Sequence, residues 1–130
     1  DFKNIETVLH NLLGVPYKWG GKTSLGFDCS GLVQSVLDVY GIKIPRDSKN
    51  QWRFLEPYKI NIDKAKMGDL HFFGKKGEVS HVGFACGGYD FIHSQGYVKK
   101  ESLDQNDPNF NKSLLDIYLS SASIRLKFKL

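Results

Sequence analysis

The sequence predicts an α+β domain, and three observations carry the prediction. The first forty residues show helical apolar spacing, the runs from Leu70 onward read as short glycine-punctuated strands, and 130 residues suit one compact core. Helices first and a mainly antiparallel sheet after them is the α+β arrangement.

Phe2, Ile5, Val8, Leu9, Leu12 and Leu13 recur at helical spacing and Gly14 supplies a stop, predicting a first helix over residues 2–13. Residues 15–27 form a loop with Pro16, Gly20, Gly21 and Gly26, and Tyr17 and Trp19 stand in it, an aromatic content typical of functional loops. Leu32, Val33, Val36, Leu37 and Tyr40 then share one face, with Asp28 placed to cap the helix and Gly41 to end it. Cys29 falls in the first turn. Residues 45–52 fit one or two helical turns. Leu70–Phe73 and residues 79–86 and 89–94 read as strands, separated by Gly74, Gly77 and Gly87-Gly88. Asp107-Pro108 reads as a capped helix start, and Phe110, Leu114, Leu115, Tyr118 and Leu119 give a stripe for a third helix over residues 108–119. Ile124, Leu126, Phe128 and Leu130 alternate with Arg125, Lys127 and Lys129, predicting a final strand.

Composition removes several function classes. With 41% hydrophobic and 25% charged residues the chain is neither disordered, collagenous nor a coiled coil. Its longest apolar runs hold four or five residues against the ~20 a membrane helix needs. The net charge of +4 comes from scattered lysines with no run of five, which argues against nucleic acid as a partner. Two cysteines are too few for a disulfide scaffold or a Cys-rich zinc site. The opening Asp1-Phe2-Lys3-Asn4 is neither a signal peptide nor an initiator methionine, so a piece of something longer is expected.

Chemistry concentrates on three residues. A thiol in a helix's first turn feels partial positive charge and free N–H groups, which lower its pKa from about 8.5 and suit Cys29 to be a nucleophile. Free cysteine is also a common core residue. A nucleophilic thiol needs a base, and the base needs a polar group on its other ring nitrogen to fix its tautomer. His81 and His93, on strands joined through Gly87-Gly88, can supply both if they share a sheet face. That requires an odd connection, centred on Gly87; a two-residue turn puts the rings on opposite faces. Parity turns Cys86 away from His81, toward the core. A zinc site from Cys29, His81 and His93 has no CxxC or HExxH spacing behind it, so no metal or cofactor is expected. His10 and His71 read as structural.

The runs Gly14-Val15-Pro16-Tyr17-Lys18-Trp19-Gly20-Gly21, Gly26-Phe27-Asp28-Cys29-Ser30-Gly31-Leu32-Val33-Gln34, Gly68-Asp69-Leu70, Ser80-His81-Val82-Gly83 and Phe91-Ile92-His93-Ser94 together resemble the NlpC/P60 cysteine peptidase domain over nearly the whole chain. The resemblance implies a papain-like fold and hydrolysis of γ-D-glutamyl bonds to diaminopimelate or lysine in bacterial cell-wall peptides. It makes Cys29 the nucleophile, His81 the base, His93 the orienting residue and Tyr17 a hydroxyl near the oxyanion. Pro45-Arg46-Asp47-Ser48 with Gln51, and the stretch from Gly96-Tyr97-Val98 to Asp107-Pro108, are similar to the γ-D-glutamyl-L-diamino acid endopeptidase branch, dipeptidyl-peptidase VI. There the residues matching Asp28, Ser30, Asp47 and Ser48 bind short peptides through a free N-terminal L-alanine. A carboxylate in a closed cleft would reject an N-acylated peptide by several kcal/mol; a plain helix cap is the other reading of Asp47-Ser48. Branch members usually carry bacterial SH3 domains ahead of the catalytic one, which this chain lacks, and His71 stands where the family usually has an apolar residue. The expected partner is a peptidoglycan-derived peptide, the expected state a monomer, and the expected compartment the bacterial envelope or its exterior, with cytoplasmic peptide recycling as the alternative. A general cell-wall endopeptidase, an amidase or acyltransferase on this scaffold, and an idle peptidoglycan-binding module are the rival functions.

Overall fold

The computed structural model describes residues 1–23 and 25–130. A 3₁₀ turn at Phe2–Asn4 leads into α1 (Ile5–Asn11), slightly shorter than the apolar spacing suggested. A small ribbon pairs β1 (Lys22–Thr23) with β2 (Gly26–Phe27), and α2 (Cys29–Val39) and α3 (Ser48–Phe54) follow. Then come β3 (Lys59–Ile60), β4 (Leu70–Phe73), β5 (His81–Ala85), β6 (Asp90–Gln95), β7 (Tyr97–Ser102), α4 (Lys112–Asp116), β8 (Tyr118–Ala122) and α5 (Ile124–Phe128). The six strands β3 to β8 form one sheet in the order β3-β8-β4-β5-β6-β7, with every pairing antiparallel. The fold is α+β.

Strand alternation divides the sheet into two faces with different tasks. Leu70, Phe72, Val82, Phe84 and Ile92 point to one side, where Leu9 of α1 and Leu32, Val33, Val36 and Leu37 of α2 complete the main core. Phe73 and Phe91 point to the other, under Leu103 and Leu114 of α4. His71, His81 and His93 belong to this second face by parity. Cys86 packs against the main core, away from them.

Two predicted elements take other forms. The helix expected over residues 108–119 is confined to α4. Asp107 accepts from the Asn109 amide at 2.7 Å, closing a turn in place of a helix, and the cap is Asn111, whose Oδ1 accepts from Leu114 N at 3.0 Å. Tyr118 and Leu119, read as the end of that helix, instead enter β8, where pairing with both β3 and β4 outweighs local preference. The strand expected over residues 124–130 is α5. Ser123 caps it by accepting from Leu126 N at 3.1 Å, and only Ile124 and Phe128, one helical turn apart, pack inward. Leu126 and Leu130 remain 57% and 54% exposed, so the alternation marked no buried face.

A buried carboxylate ties α5 to the sheet. Asp69, fully buried ahead of β4, accepts from Lys66 N at 2.9 Å, Ser123 Oγ at 3.2 Å, and Arg125 Nε and Nη2 at 3.2 and 2.7 Å. With the Arg125 backbone N–H also on Oδ1 at 3.5 Å, five donors on one anion meet the requirement that a buried charge be compensated.

Candidate active site

Helix α2 sets the position of the thiol. Asp28 has extended backbone and caps the helix, its Oδ1 accepting from Gly31 N at 2.6 Å, so Cys29 becomes the first helical residue. Gly31 permits the close approach of the preceding loop. A Cβ there would lie 2.1 Å from the Gly21 carbonyl oxygen, which itself accepts from Asp28 N at 3.0 Å. The Gly20-Gly21 strap and the start of α2 are therefore locked together.

The Cys29 thiol points to the beginning of β5, with Sγ 4.0 Å from the Ser80 carbonyl oxygen. Its acidity departs from the sequence-based expectation. Burial pushes the thiol pKa up and the Asp28 charge adds to this, while backbone N–H groups of Val82, Ser30 and Cys29 act in the opposite direction and do not outweigh them. The surroundings of the thiol therefore oppose its ionisation.

His81 and His93 meet on the second face. His81 Nε2 lies 2.8 Å from His93 Nδ1, with the rings 86° apart. The connection between β5 and β6 has odd length, as this contact requires, but it is centred on Gly88, not Gly87. Phe84 pairs with Ile92 and Ala85 with Phe91, leaving Gly87-Gly88-Tyr89 as the loop after Cys86 N bonds to Asp90 O. The one-residue shift sets His93 beside Gly83, with His81 diagonal to it. Gly83 makes that possible: a Cβ would meet His93 Cβ at 2.9 Å. Phe91 stacks against His93 with ring centres 4.6 Å apart. Burial keeps both imidazoles neutral, lowering His81 to about 3, helped by the charges of His93 and Lys99, and His93 to about 4 against the pull of Glu101.

Behind the pair stand two residues that sequence reasoning missed. His93 Nε2 lies 2.7 Å from Glu101 Oε1, and the same oxygen accepts from Asn111 Nδ2 at 2.9 Å. Burial pushes the Glu101 carboxyl up, but the bonds from Asn111 and His93 and the Lys99 charge together hold it below its ordinary value. The available signal was Gly96, at φ 76°, which turns β6 directly into β7 with Gln95 opposite Tyr97 and so brings Glu101 to the His93 face.

A cleft of about 390 Å³ opens over the thiol, lined by Tyr17, Trp19, Gly20, Asp28, Cys29, Ser30, Arg46, Asp47, Ser48 and Ser80. All the predicted substrate residues therefore share one cavity with Cys29. Tyr17 stands close enough to Cys29 and Asp28 for their charges, after burial itself, to raise its hydroxyl pKa, and Tyr17 N is fixed on Gly96 O at 2.9 Å. The two candidate ammonium receptors differ sharply. Asp28 is half-buried and already engaged: Arg46 Nη2 and Nη1 reach its two oxygens at 2.7 and 3.1 Å, and Nη1 also reaches Ser30 Oγ at 3.0 Å. Asp47 occupies the cap position of α3 without capping it, and its carboxylate is exposed at the cleft. Gln51 of α3 spans Ser30 O and Pro45 O at 3.2 and 2.9 Å, pinning this wall to α2. Among the described residues no group of three or more His, Cys, Asp or Glu side chains is arranged to hold a metal.

The profile of the NlpC/P60 family matches residues 14–117. The chain is 42% identical over 106 residues to a γ-D-glutamyl-L-lysine dipeptidyl-peptidase of Bacillus subtilis, covering 78% of this chain and 35% of that protein. It is 34% identical over 116 residues to dipeptidyl-peptidase 6 of Lysinibacillus sphaericus, covering 86% of this chain and 40% of that one. The chain thus spans between a third and a half of the length of these curated relatives. Among solved structures, the NlpC/p60 domain of the peptidoglycan hydrolase SagA superposes with a TM-score of 0.76 at 32% identity, covering 95% of this chain and 99% of that one. By profile, relatives and fold, the chain belongs to the NlpC/P60 family.

Proposed function

We propose that this chain is a cysteine peptidase domain that cuts γ-D-glutamyl-diamino acid bonds in cell-wall peptides, preferring short peptides with a free N-terminal L-alanine. The observation that carries the reading is Cys29 at a helix start on the cleft wall, its Sγ 4.0 Å from the carbonyl oxygen of Ser80, the residue before His81, which is itself hydrogen-bonded to His93. In this mechanism the Cys29 thiol passes its proton to His81 as sulfur attacks the γ-glutamyl carbonyl carbon. The oxyanion is met by the Cys29 amide and the Tyr17 hydroxyl. His81 returns the proton to the departing amine of the diamino acid, and water then hydrolyses the thioester. His93 holds the His81 ring in place throughout.

Of the two carboxylates, Asp47 suits the substrate ammonium, with Ser48 and Ser30 beside it, because Asp28 is neutralised by Arg46. Asp47 is exposed in the free protein, so its contribution is that of one accessible charge-assisted bond. About tenfold discrimination is expected from it, not the several kcal/mol of a sealed carboxylate. The test is mass spectrometry of L-Ala-γ-D-Glu-L-Lys and its diaminopimelate counterpart, each free and N-acetylated, incubated with the protein and with Cys29→Ala and Asp47→Asn. Cleavage of the free peptides, loss in Cys29→Ala and reduced preference in Asp47→Asn are expected. Equal turnover of free and acetylated peptides would indicate a general endopeptidase, and turnover by Cys29→Ala would remove the thiol from the mechanism.

A further inference from the structure

The contacts behind His93 define a direction for every proton in the site, and they begin at a helix cap. Asn111 caps α4 through Oδ1, which accepts from Leu114 N at 3.0 Å. Its amide orientation is thereby fixed, and the other end, Nδ2, must donate to Glu101 Oε1 at 2.9 Å. An ionised carboxylate only accepts, so the 2.7 Å contact between Glu101 Oε1 and His93 Nε2 places a proton on Nε2. His93 is neutral, so its Nδ1 carries a lone pair. The 2.8 Å contact of that atom with His81 Nε2 then places the His81 proton on Nε2.

We infer that Glu101, held by Asn111, is a positioning residue that sets the tautomers of both histidines and leaves Nδ1 of His81 as the nitrogen able to take the Cys29 proton. The inference rests on the proposed peptidase reading for its consequence, though not for the tautomers themselves. In the step it serves, the S–H bond of Cys29 breaks, an N–H bond forms at His81 Nδ1, and the resulting imidazolium keeps its Nε2 proton bonded to His93. If either ring took the opposite tautomer, the 2.8 Å contact would bring two protons or two lone pairs together, and His81 would turn. Gly83 and the Phe91 ring leave His93 little space to follow. The carboxylate thus acts at two removes from sulfur. It is the counterpart of a buried acid that holds a catalytic imidazole in one tautomer, where exchange for the amide leaves the geometry intact and costs activity.

The experiment combines ¹⁵N NMR of ring-labelled protein near neutral pH with kinetics of wild type, Glu101→Gln and Asn111→Ser, the last keeping a capping oxygen while removing the amide donor. In wild type both His81 and His93 should carry their proton on Nε2. Glu101→Gln, whose amide can donate as well as accept, should show mixed His93 tautomers, with kcat down roughly 10- to 100-fold and KM within about twofold. Asn111→Ser should show a smaller loss in the same sense. A wild-type His93 protonated on Nδ1, or Glu101→Gln with unchanged tautomers and kcat, would overturn the assignment. The spectra separate the two layers: predicted tautomers in a protein that cleaves no γ-glutamyl peptide would refute the peptidase reading and leave this inference standing.

Discussion

Replacing Gly31 by alanine tests the argument about the start of α2 because two effects predict opposite signs. Inside an exposed helix, alanine for glycine gains about 1 kcal/mol from propensity and a less free unfolded chain. Here the new Cβ would stand 2.1 Å from Gly21 O and 2.7 Å from Asp28 Oδ1. The first turn must move by about 1 Å to reach ordinary contact. That motion strains or breaks the Asp28 N to Gly21 O bond and the Gly31 N to Asp28 Oδ1 cap. A cap is worth about 1 kcal/mol, a backbone bond about 1, and overpacking about 1 to 3. Less the propensity gain, Gly31→Ala should be about 2 to 4 kcal/mol less stable, lowering Tm by roughly 10 °C. Moving Cys29 with its turn should also cost about a hundredfold in kcat, as misplacement of a reacting group by about 1 Å does. Urea and thermal unfolding, with turnover of a free γ-glutamyl tripeptide, measure both. A variant as stable as wild type, or more so, would show that the strap yields at no cost and that α2 is not locked by it.

Three other outcomes follow from the geometry. Asp69→Ala leaves Arg125, Ser123 and Lys66 N without their shared acceptor and should lose about 3 to 5 kcal/mol in urea unfolding; a loss under 1 kcal/mol would show that the clip is incidental. His71 is fully buried, with Nδ1 on Ser121 Oγ at 2.6 Å, and burial lowers its pKa to about 4. The unfolded chain therefore takes up this proton as pH falls through 6.5 while the folded protein does not until about 4, so stability is lost across that window. His71→Leu, which leaves Ser121 bonded to Tyr118, should flatten the pH dependence of unfolding by up to ~1.4 kcal/mol per pH unit, and an unchanged slope would contradict the burial argument. Iodoacetamide near neutral pH should label Cys29 ahead of Cys86, whose thiol burial pushes to about 12; peptide mapping that finds Cys86 first would reverse the assignment.

What could be read from the chain was set by how local each signal is. The Asp28 cap, the Cys29 position and the α2 stripe lie within a dozen residues, and the shared face of His81 and His93 follows from parity once the connection between their strands is odd. The centre of the loop at Gly88 depends on where β5 and β6 stop pairing, which glycine pairs do not specify. The reversed direction of the Cys29 shift depends on how deeply neighbours bury the sulfur and on Asp28, neither visible in helix position. Arg46 stood inside a recognised motif without a role because its partner lies 18 residues away across the cleft. Glu101 sits in a Lys-rich run that resembles solvent-exposed sequence until β7 pairs with β6. Residues 118–130 misled most, since Tyr118 becomes strand by pairing with Phe73 of β4 and Ile124 becomes helix by finding a serine cap and a buried aspartate.

The place of β8 in the sheet bears on how the chain reaches its fold. The pairs β4–β5, β5–β6 and β6–β7 are successive in sequence and joined by short connections, so this meander can close soon after residue 102 is available. Strand β8 slots between β3 and β4, contacts that span nearly fifty residues or more, and Asp69 must wait for Ser123 and Arg125. During synthesis the edge of β4 opposite β5 therefore stays unpaired until residues 118–122 emerge. The histidine pair belongs to the early, local part of the sheet; the clasp that makes the domain cooperative comes last, and slow steps in refolding should be sought there.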